Sequence, residues 1–323
     1  MDEKYYSEKW VKFGIEGLNK LFHAAEGEPE NECGIPRGSS VILSGDMGTG
    51  KTTFLMQFLK HGIEKGEKGI FVSLEESPYN LLRDYCHWEF GKDRKLIDVL
   101  GDGSLTIVDA TSFIQETDLD KQIKRVIEQY YFKKTKNKQK NLYIMEKYNN
   151  IIKSNGIYSL ESEESLSRIP IKLRQKIIDL ISEDRVSKRE KFRVCIDSLT
   201  AFLSYGIVQP AGSEQEAKHT SFGEEIRKTI VELRANLESR NVTTLLTVEA
   251  MPLETVETSF TTAWRNIENF VARGVIQLGY HSYEKGDLVR YLRILKMRGV
   301  GHSTTKHAFE ITGKKVKWIG ELI

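Results

Sequence analysis

No stretch of the 323-residue sequence approaches the ~20 consecutive apolar residues that a membrane-spanning helix requires. The opening segment, Met1-Asp-Glu-Lys-Tyr-Tyr-Ser-Glu-Lys-Trp10, has no apolar h-region, so no secretory signal is expected. Cysteine is scarce: Cys33, Cys86 and Cys195 are far apart and odd in number. They form neither a zinc nor a redox spacing, and the expectation is reduced thiols in a cytoplasmic protein. Neither sign of charge dominates, with 48 Lys and Arg against 46 Asp and Glu, so composition gives no general argument for a polyanionic partner. No internal repeat is visible. What remains is 39% hydrophobic and 29% charged, the balance of a folded chain rather than a disordered one. The length suffices for a large core without a disulfide or metal staple.

Strands and helices alternate along the chain. Ser40-Val-Ile-Leu-Ser44 is a short apolar run ending in a Gly-rich turn, and Phe54, Leu55, Phe58, Leu59 and Ile63 then recur at helical spacing. Further buried strands are expected at Lys68–Leu74, Leu105–Asp109, Phe192–Asp197 and Val242–Val248. Ser77-Pro78 reads as a helix start, with Ser as N-cap and Pro in the first turn. A helix carrying Ile226, Ile230, Leu233 and Leu237 falls between the last two strands. This alternation predicts an α/β fold with a mostly parallel central sheet flanked by helices. The chain ends differently: Gly274–Tyr280 and Leu288–Met297 form a β-hairpin region, and a strand pair is expected around Gly313.

One interval is too long. Over eighty residues separate Asp109 from Phe192, where a crossover needs only about 12 to 30. The domain reading is one domain over residues 1–323, with residues 115–170 as an inserted helical or partly disordered segment. Both flanks of that segment have helical spacing, and it contains the basic run Lys133–Lys140.

Gly45-Asp-Met-Gly-Thr-Gly50-Lys51-Thr52 matches the phosphate-loop pattern G-x-x-x-x-G-K-[ST], or Walker A, with a strand before it and an amphipathic helix after it. Gly45, Gly48 and Gly50 let the backbone approach phosphate without a Cβ. Asp46, Met47, Thr49 and Thr53 complete the candidate nucleotide-binding set, through successive N–H groups at a helix start. Lys51 would neutralise phosphate oxygens, and Thr52 would supply a hydroxyl to Mg2+. Asp197, at the end of an apolar strand and followed by Ser198, fits the second metal-holding position (Walker B). ATP and Mg2+ are therefore the expected substrate and cofactor. Glu75 and Glu76 end the second sheet strand, where open α/β sheets bind ligands. They are candidates for the catalytic base, and an acidic turn opening a helix is the plainer reading.

Together these motifs resemble the KaiC-type ATPases of the RecA superfamily, from about Phe13 to Ile319 outside the insertion. Phe13-Gly-Ile-Glu-Gly-Leu-Asn-Lys-Leu21 is similar to that family's first segment, and Gly34-Ile-Pro-Arg-Gly-Ser39 to the lead-in before its first sheet strand. Phe71-Val-Ser-Leu-Glu-Glu-Ser-Pro78 resembles its catalytic strand end, and Val194–Leu199 its Walker B strand. Lys296-Met-Arg-Gly-Val-Gly-His302 is similar to its K-x-R-G-x-x-H signature. The resemblance implies that Glu75 and Glu76 act on the attacking water and that Lys296 and Arg298 act across the subunit interface of a homohexameric ring. It also implies nucleotide contacts from Met297, His302 and Thr312. Residues two apart share a strand face, so Lys296 and Arg298 are expected to project together. The family's autophosphorylated Ser-Thr pair has no counterpart at Asn269-Phe270, which argues against autokinase activity. Phe22–Cys33 is longer and more acidic than the family's link.

The leading expectation is a slowly hydrolysing regulatory ATPase whose nucleotide state sets partner binding, with a protein partner engaged through 115–170. The alternatives are a recombinase-like DNA-dependent ATPase and a nucleotide-binding scaffold with negligible turnover. Gly206–Ser213 contains no Lys or Arg, and Ala250–Trp264 contains only acids and hydroxyls among its polar residues, which argues against DNA. Lys133–Lys140 leaves nucleic acid open.

Overall fold

The computed structural model describes residues 9–23, 33–91, 93–111, 119–131, 138–160, 169–188, 190–204, 228–249, 272–282, 287–313 and 315–322. The fold is α/β, with a mostly parallel sheet, flanking helices, and antiparallel strands near the end of the chain. Chain contacts divide it into two compact units, Met1–Phe58 with Ser198–Ile323, and Leu59–Asp197.

Three two-residue strands, β1 (Trp10–Val11), β2 (Phe22–His23) and β3 (Ile35–Pro36), precede β4 (Ser40–Gly45) and helix α1 (Lys51–Glu64). Then come β5 (Lys68–Ser73), α2 (Pro78–Tyr85), α3 (Leu96–Gly101) and β6 (Leu105–Asp109). Helices α4 (Leu119–Val126) and α5 (Lys138–Lys153), strand β7 (Ile157–Ser159) and helix α6 (Ile169–Lys188) lead to β8 (Phe192–Asp197). Helix α7 (Leu199–Ser204), a helix over residues 228–239, and strands β9 (Thr243–Glu249), β10 (Gly274–Ser282), β11 (Leu288–Met297), β12 (Gly301–His302), β13 (His307–Thr312) and β14 (Lys315–Glu321) complete the described chain.

In the first unit the strand order is β14-β13-β11-β10-β4-β9. Strand β4 lies parallel to both neighbours, with Val41 opposite Gly274 and Leu245, and Gly45 opposite Leu278 and Glu249. It is buried along nearly its whole length, which is why it reads as a continuous apolar run rather than an alternating one. The β10–β11 hairpin is antiparallel with a bulge at Val275/Ile276. The first segment of the chain packs on α1: Phe13 lies 6.3 Å from Phe22 and 5.7 Å from Phe58 between ring centres, and Gln57 Nε2 donates to Gly14 O at 2.9 Å. Ile230, Leu233 and Leu237 are buried on the helix over 228–239, as their spacing predicts; Ile226 lies outside the described residues.

The second unit is a parallel array in the order β8-β5-β6-β7. Ser77 caps α2, its Oγ accepting from Asn80 N at 3.4 Å with Pro78 in the first turn. On α6 a buried stripe of Ile169, Leu173, Ile177 and Ile181 recurs every fourth residue. Within the 115–170 segment, α5 is tied to α3 by Lys147–Asp98 at 2.6 Å and by Ser154 Oγ donating to Leu100 O at 2.6 Å. It ends on Asn155 in the left-handed region (φ 51°), with Gly156 N donating to Ile151 O at 2.9 Å, a Schellman-type stop. Strand β7 follows and pairs in parallel with β6, a strand the sequence reading did not assign. Of the Lys133–Lys140 run, only the helical backbone of residues 138–140 is described; the loops at 206–213 and 250–264 lie outside the described residues.

Arg193 on β8 and Glu67 form a buried ion pair at 2.5 Å, with side chains 3% and 7% exposed. Gly62 of α1 leaves room for that guanidinium. His61, next to it, is held down to about 4 from its ordinary 6.5, first by burial and then by the charge of Arg193; Lys65 adds to this, while Glu64 and Glu67 oppose it. The unfolded chain takes up this proton near pH 6.5 and the folded protein only near pH 4. The resulting stability is fully present above pH 6.5 and is lost as pH falls through about 4, amounting to up to about 3 kcal/mol. Urea unfolding of His61→Gln between pH 7 and pH 4 is expected to lose most of that pH-dependent decline relative to the parent; an unchanged slope would refute the assignment.

Candidate nucleotide site

Strand β4 ends at Gly45 and the chain enters α1 at Lys51, so residues 46–50 must reverse tightly. Gly48 (φ 76°) and Gly50 (φ 98°) adopt the left-handed backbone that this reversal needs. Thr49 is fully buried and closes the turn, its N and Oγ1 donating to Asp46 O at 3.4 and 2.7 Å. Lys51 folds into the loop, with Nζ donating to Gly45 O at 2.8 Å and Asp46 O at 3.1 Å. Its ammonium thus sits among carbonyl oxygens, where a phosphate oxygen would be a stronger partner. Asp46, Met47 and Gly48 face solvent, whereas Thr52 and Thr53 are half-buried on the first turn of the helix.

Two residues that sequence reasoning missed touch this loop. Tyr280 Oη donates to Gly48 O at 2.7 Å, and the Arg290 guanidinium approaches the same carbonyl at 3.4 Å and lies over the Tyr280 ring at 5.5 Å. Tyr280 and Arg290 are cross-strand partners of the β10–β11 hairpin. Counting outwards from the hairpin's turn would have paired them with each other, though not with the loop. Behind the loop, Ile311 of β13 fills the space that a Cβ on Gly50 would need, and Phe309 packs edge-on to Phe54 of α1 at 5.0 Å.

The Lys296–His302 signature lies at the other end of the hairpin. Lys296 pairs with Val275, and Val275 with Ile42, three residues before Gly45 on β4, or roughly 10 Å along the strand. Strand β11 ends at Met297, and Arg298 sits in the exposed turn beyond it, so the expected sharing of a strand face by Lys296 and Arg298 does not apply. The two cations are nonetheless neighbours: burial first, then the Arg298 charge, lowers the Lys296 pKa. Lys296 Nζ donates to Ala272 O at 3.2 Å, and the Met297 side chain is buried against Gly274. His302 Nδ1 lies 3.1 Å from Val300 O, and Thr312 Oγ1 donates to Lys315 O at 2.9 Å in the β13–β14 turn. None of Lys296, Met297, Arg298 or His302 belongs to the loop end of β4.

In the second unit Asp197, Ser73, Asp109 and Ser159 end β8, β5, β6 and β7 in mutual register. Glu75 is exposed and Glu76 half-buried in the bend after β5. Ser73 Oγ donates to Glu76 O at 2.5 Å and Leu74 N to Asp197 O at 2.7 Å. Burial raises the Glu76 pKa, and the charges of Asp197, Asp84 and Glu75 raise it further against Arg83. Asp197 is buried. Among the described residues no group of three or more His, Cys, Asp or Glu converges on a metal position. All three cysteines are free thiols.

Comparison with known proteins bears on the fold and the family. A family model for the KaiC ATPase matches residues 11–145 and 137–322. A UPF0273 protein of Thermotoga maritima is 28% identical over 95% of this chain and 95% of its own length. The circadian clock oscillator protein KaiC of Parathermosynechococcus lividus is 30% identical over 93% of this chain, which spans only 40% of that protein. The crystal structure of a KaiC-like protein from Pyrococcus horikoshii superposes with a TM-score of 0.54 at 26% identity, covering 96% of this chain and 99% of that one. With the phosphate loop, the strand order and the family match in agreement across both units, the chain belongs to the KaiC family of ATPases.

Proposed function

We propose that the protein is a slow, Mg2+-dependent ATPase that binds nucleotide at the subunit interfaces of a homohexameric ring and works as a switch for partner binding. The observation that carries this reading is the Lys51 ammonium held inside the Gly45–Thr52 loop by carbonyl oxygens at the start of α1. On this reading the backbone N–H groups of the loop and Lys51 bind the β- and γ-phosphates of ATP. Thr52 and Asp197 would hold Mg2+, which when bound draws charge from those phosphate oxygens. Glu76, assisted by Glu75, orients a water and takes its proton as the water oxygen attacks the γ-phosphorus. The bond to the β-bridging oxygen breaks, and ADP and phosphate leave. The raised pKa of Glu76 suits it to this proton, because basicity rises toward the working pH.

The trans role of Lys296 and Arg298 is supported by register. They lie at the opposite end of β4's neighbours from the chain's own loop, so a second copy is the economical source of these charges for a bound γ-phosphate. We assign Met297, His302 and Thr312 to the same interface. The whole chain is read as one ATPase domain with 115–170 as an insertion open to a protein partner. The proposed location is cytoplasmic; among the described residues no helix is long and apolar enough to cross a membrane.

Lys51→Ala is expected to weaken ATP binding by roughly 10- to 100-fold, measured by calorimetry, because one charge-assisted contact is lost. Glu76→Gln should keep ATP affinity within a few-fold while turnover drops by about 10²- to 10⁴-fold. Steady-state turnover should be indifferent to single- or double-stranded DNA; strong stimulation would favour the recombinase-like motor, and no turnover at all the scaffold.

Separately inactive Arg298→Ala and Glu76→Gln proteins, when mixed and reassembled, are expected to recover part of the activity. In a mixed ring an intact Glu76 site meets an intact Arg298 from its neighbour. Absence of recovery in rings shown to be mixed would sink the trans assignment.

The raised Glu76 pKa carries a stability consequence with a definite sign. Its contribution is present below the ordinary carboxylate range and is lost as pH rises through the folded value. Nucleotide-free Glu76→Gln should therefore melt at a higher temperature than the parent at pH 7.5. The gain should vanish toward pH 4, and a gain of equal size at both pH values would contradict the cause given.

A further inference from the structure

Asp109 ends β6 with its side chain in the interior, 1% exposed. Its carboxylate is fully engaged: Oδ1 accepts from Thr111 N at 2.9 Å and Thr111 Oγ1 at 2.6 Å, and Oδ2 accepts from Ser159 Oγ at 3.0 Å. Ser159 is the last residue of β7, the strand contributed by the 115–170 segment. The backbone repeats the link, since Leu160 N donates to Asp109 O at 3.0 Å. The next residue continues it inwards, where Ala110 N donates to Ser73 O at 2.8 Å. Ser73 then holds the Glu76 carbonyl through its hydroxyl at 2.5 Å, and Leu74 N is fixed to Asp197 O on the other side.

The bend that carries Glu75 and Glu76 is thus clamped from two directions. One clamp comes from β8 through Asp197. The other runs back through Ser73, Ala110 and Asp109 to the hydroxyl of Ser159. A buried polar group is costly unless it is hydrogen-bonded, so the strand end holds its geometry only while the donors to Asp109 stay in place. One of those donors belongs to a three-residue edge strand, β7, with little pairing of its own. The weakest element of the array therefore completes the hydrogen bonding of a residue one strand away from the catalytic bend.

We propose that Asp109 and Ser159 are positioning residues for Glu76, and that the 115–170 segment acts on ATP turnover through this chain of hydrogen bonds. This rests on the reading of Glu76 as the residue that acts on water. A displacement of β7 releases Ser159 from Asp109, loosens the β6 end against Ser73, and moves the Glu76 bend. ATP binding at the Gly45–Thr52 loop is untouched by these contacts. The signature is therefore a loss of kcat with nucleotide affinity preserved, which a general loss of stability does not produce.

The test uses the full-length protein, with ATP affinity by calorimetry and single-turnover hydrolysis at saturating ATP. Ser159→Ala is expected to lower turnover roughly 3- to 10-fold, the worth of one hydrogen bond, with affinity changed less than twofold. Ser159→Thr, which keeps the hydroxyl, should retain parental turnover. In the Glu76→Gln background, Ser159→Ala should change the residual rate by less than twofold, because the residue through which it acts is gone. Asp109→Asn gives a stronger effect of the same kind where it folds, and Ser159→Ala carries the test where it does not. Equal losses from Ser159→Ala in both backgrounds, or parental turnover in Ser159→Ala beside an inactive Glu76→Gln, would overturn the relay and leave the role of Glu76 standing. Parental turnover in Glu76→Gln would overturn both.

Discussion

Strand β4 is the constraint on which the first unit depends. It is paired in parallel on both sides and has almost no exposed side chain, so its register is fixed by burial on two faces at once. A slip of one residue would turn every side chain to the opposite face. That fixed register delivers Gly45 to the strand end level with Leu278 and Glu249, and the chain must then reverse over five residues into α1. The glycines, the buried Thr49 and the inward Lys51 all follow from that geometric demand. A turn already closed by Thr49 and Lys51 has less left to order, which on the proposed reading lowers the cost of binding a phosphate.

The second unit solves a different problem. Its four parallel strands end in register on Asp197, Ser73, Asp109 and Ser159, so two buried carboxylates and a half-buried glutamate occupy one edge. Their surroundings differ. Asp109 is surrounded by donors, whereas burial and neighbouring negative charge push the Glu76 carboxyl toward its protonated form. On the proposed reading these differing environments suit the two residues to different tasks, Asp109 to a structural one and Glu76 to proton transfer.

Much of this was legible in the sequence, for an identifiable reason. Strands buried on both faces leave continuous apolar runs, so β4, β5, β6, β8 and β9 stand out, and the phosphate loop is recognisable because it joins such a run to a helix. The hairpin of β10 and β11 was legible from its turn. What failed to show was position at the ends and edges. Arg298 lies one residue past the end of β11, and element ends are the part of a pattern that hydrogen bonding alone decides. Strand β7 is three residues, Ile157-Tyr-Ser159, in a polar segment, too short for any periodicity. Tyr280 and Arg290 reach the loop because the hairpin lies beside β4, a tertiary pairing that no local spacing encodes.

Strand β11 carries cations at two ends with different consequences. Arg290, near its start, meets the chain's own loop through Gly48 O; Lys296, near its end, and Arg298, just past it, lie beside residues level with the beginning of β4. An antiparallel partner of a parallel sheet must behave this way, since its direction runs opposite to the strand that ends in the loop. One stretch of chain can therefore meet its own Gly45–Thr52 loop with one end while its other end is directed away from that loop. On the proposed reading this makes the active unit larger than one chain: the loop and the glutamate belong to one subunit and the distant cations to the next. Assembly and hydrolysis are then linked by the polarity of a single strand, and any influence that loosens the ring withdraws charge from the γ-phosphate without altering a residue of the loop that binds it.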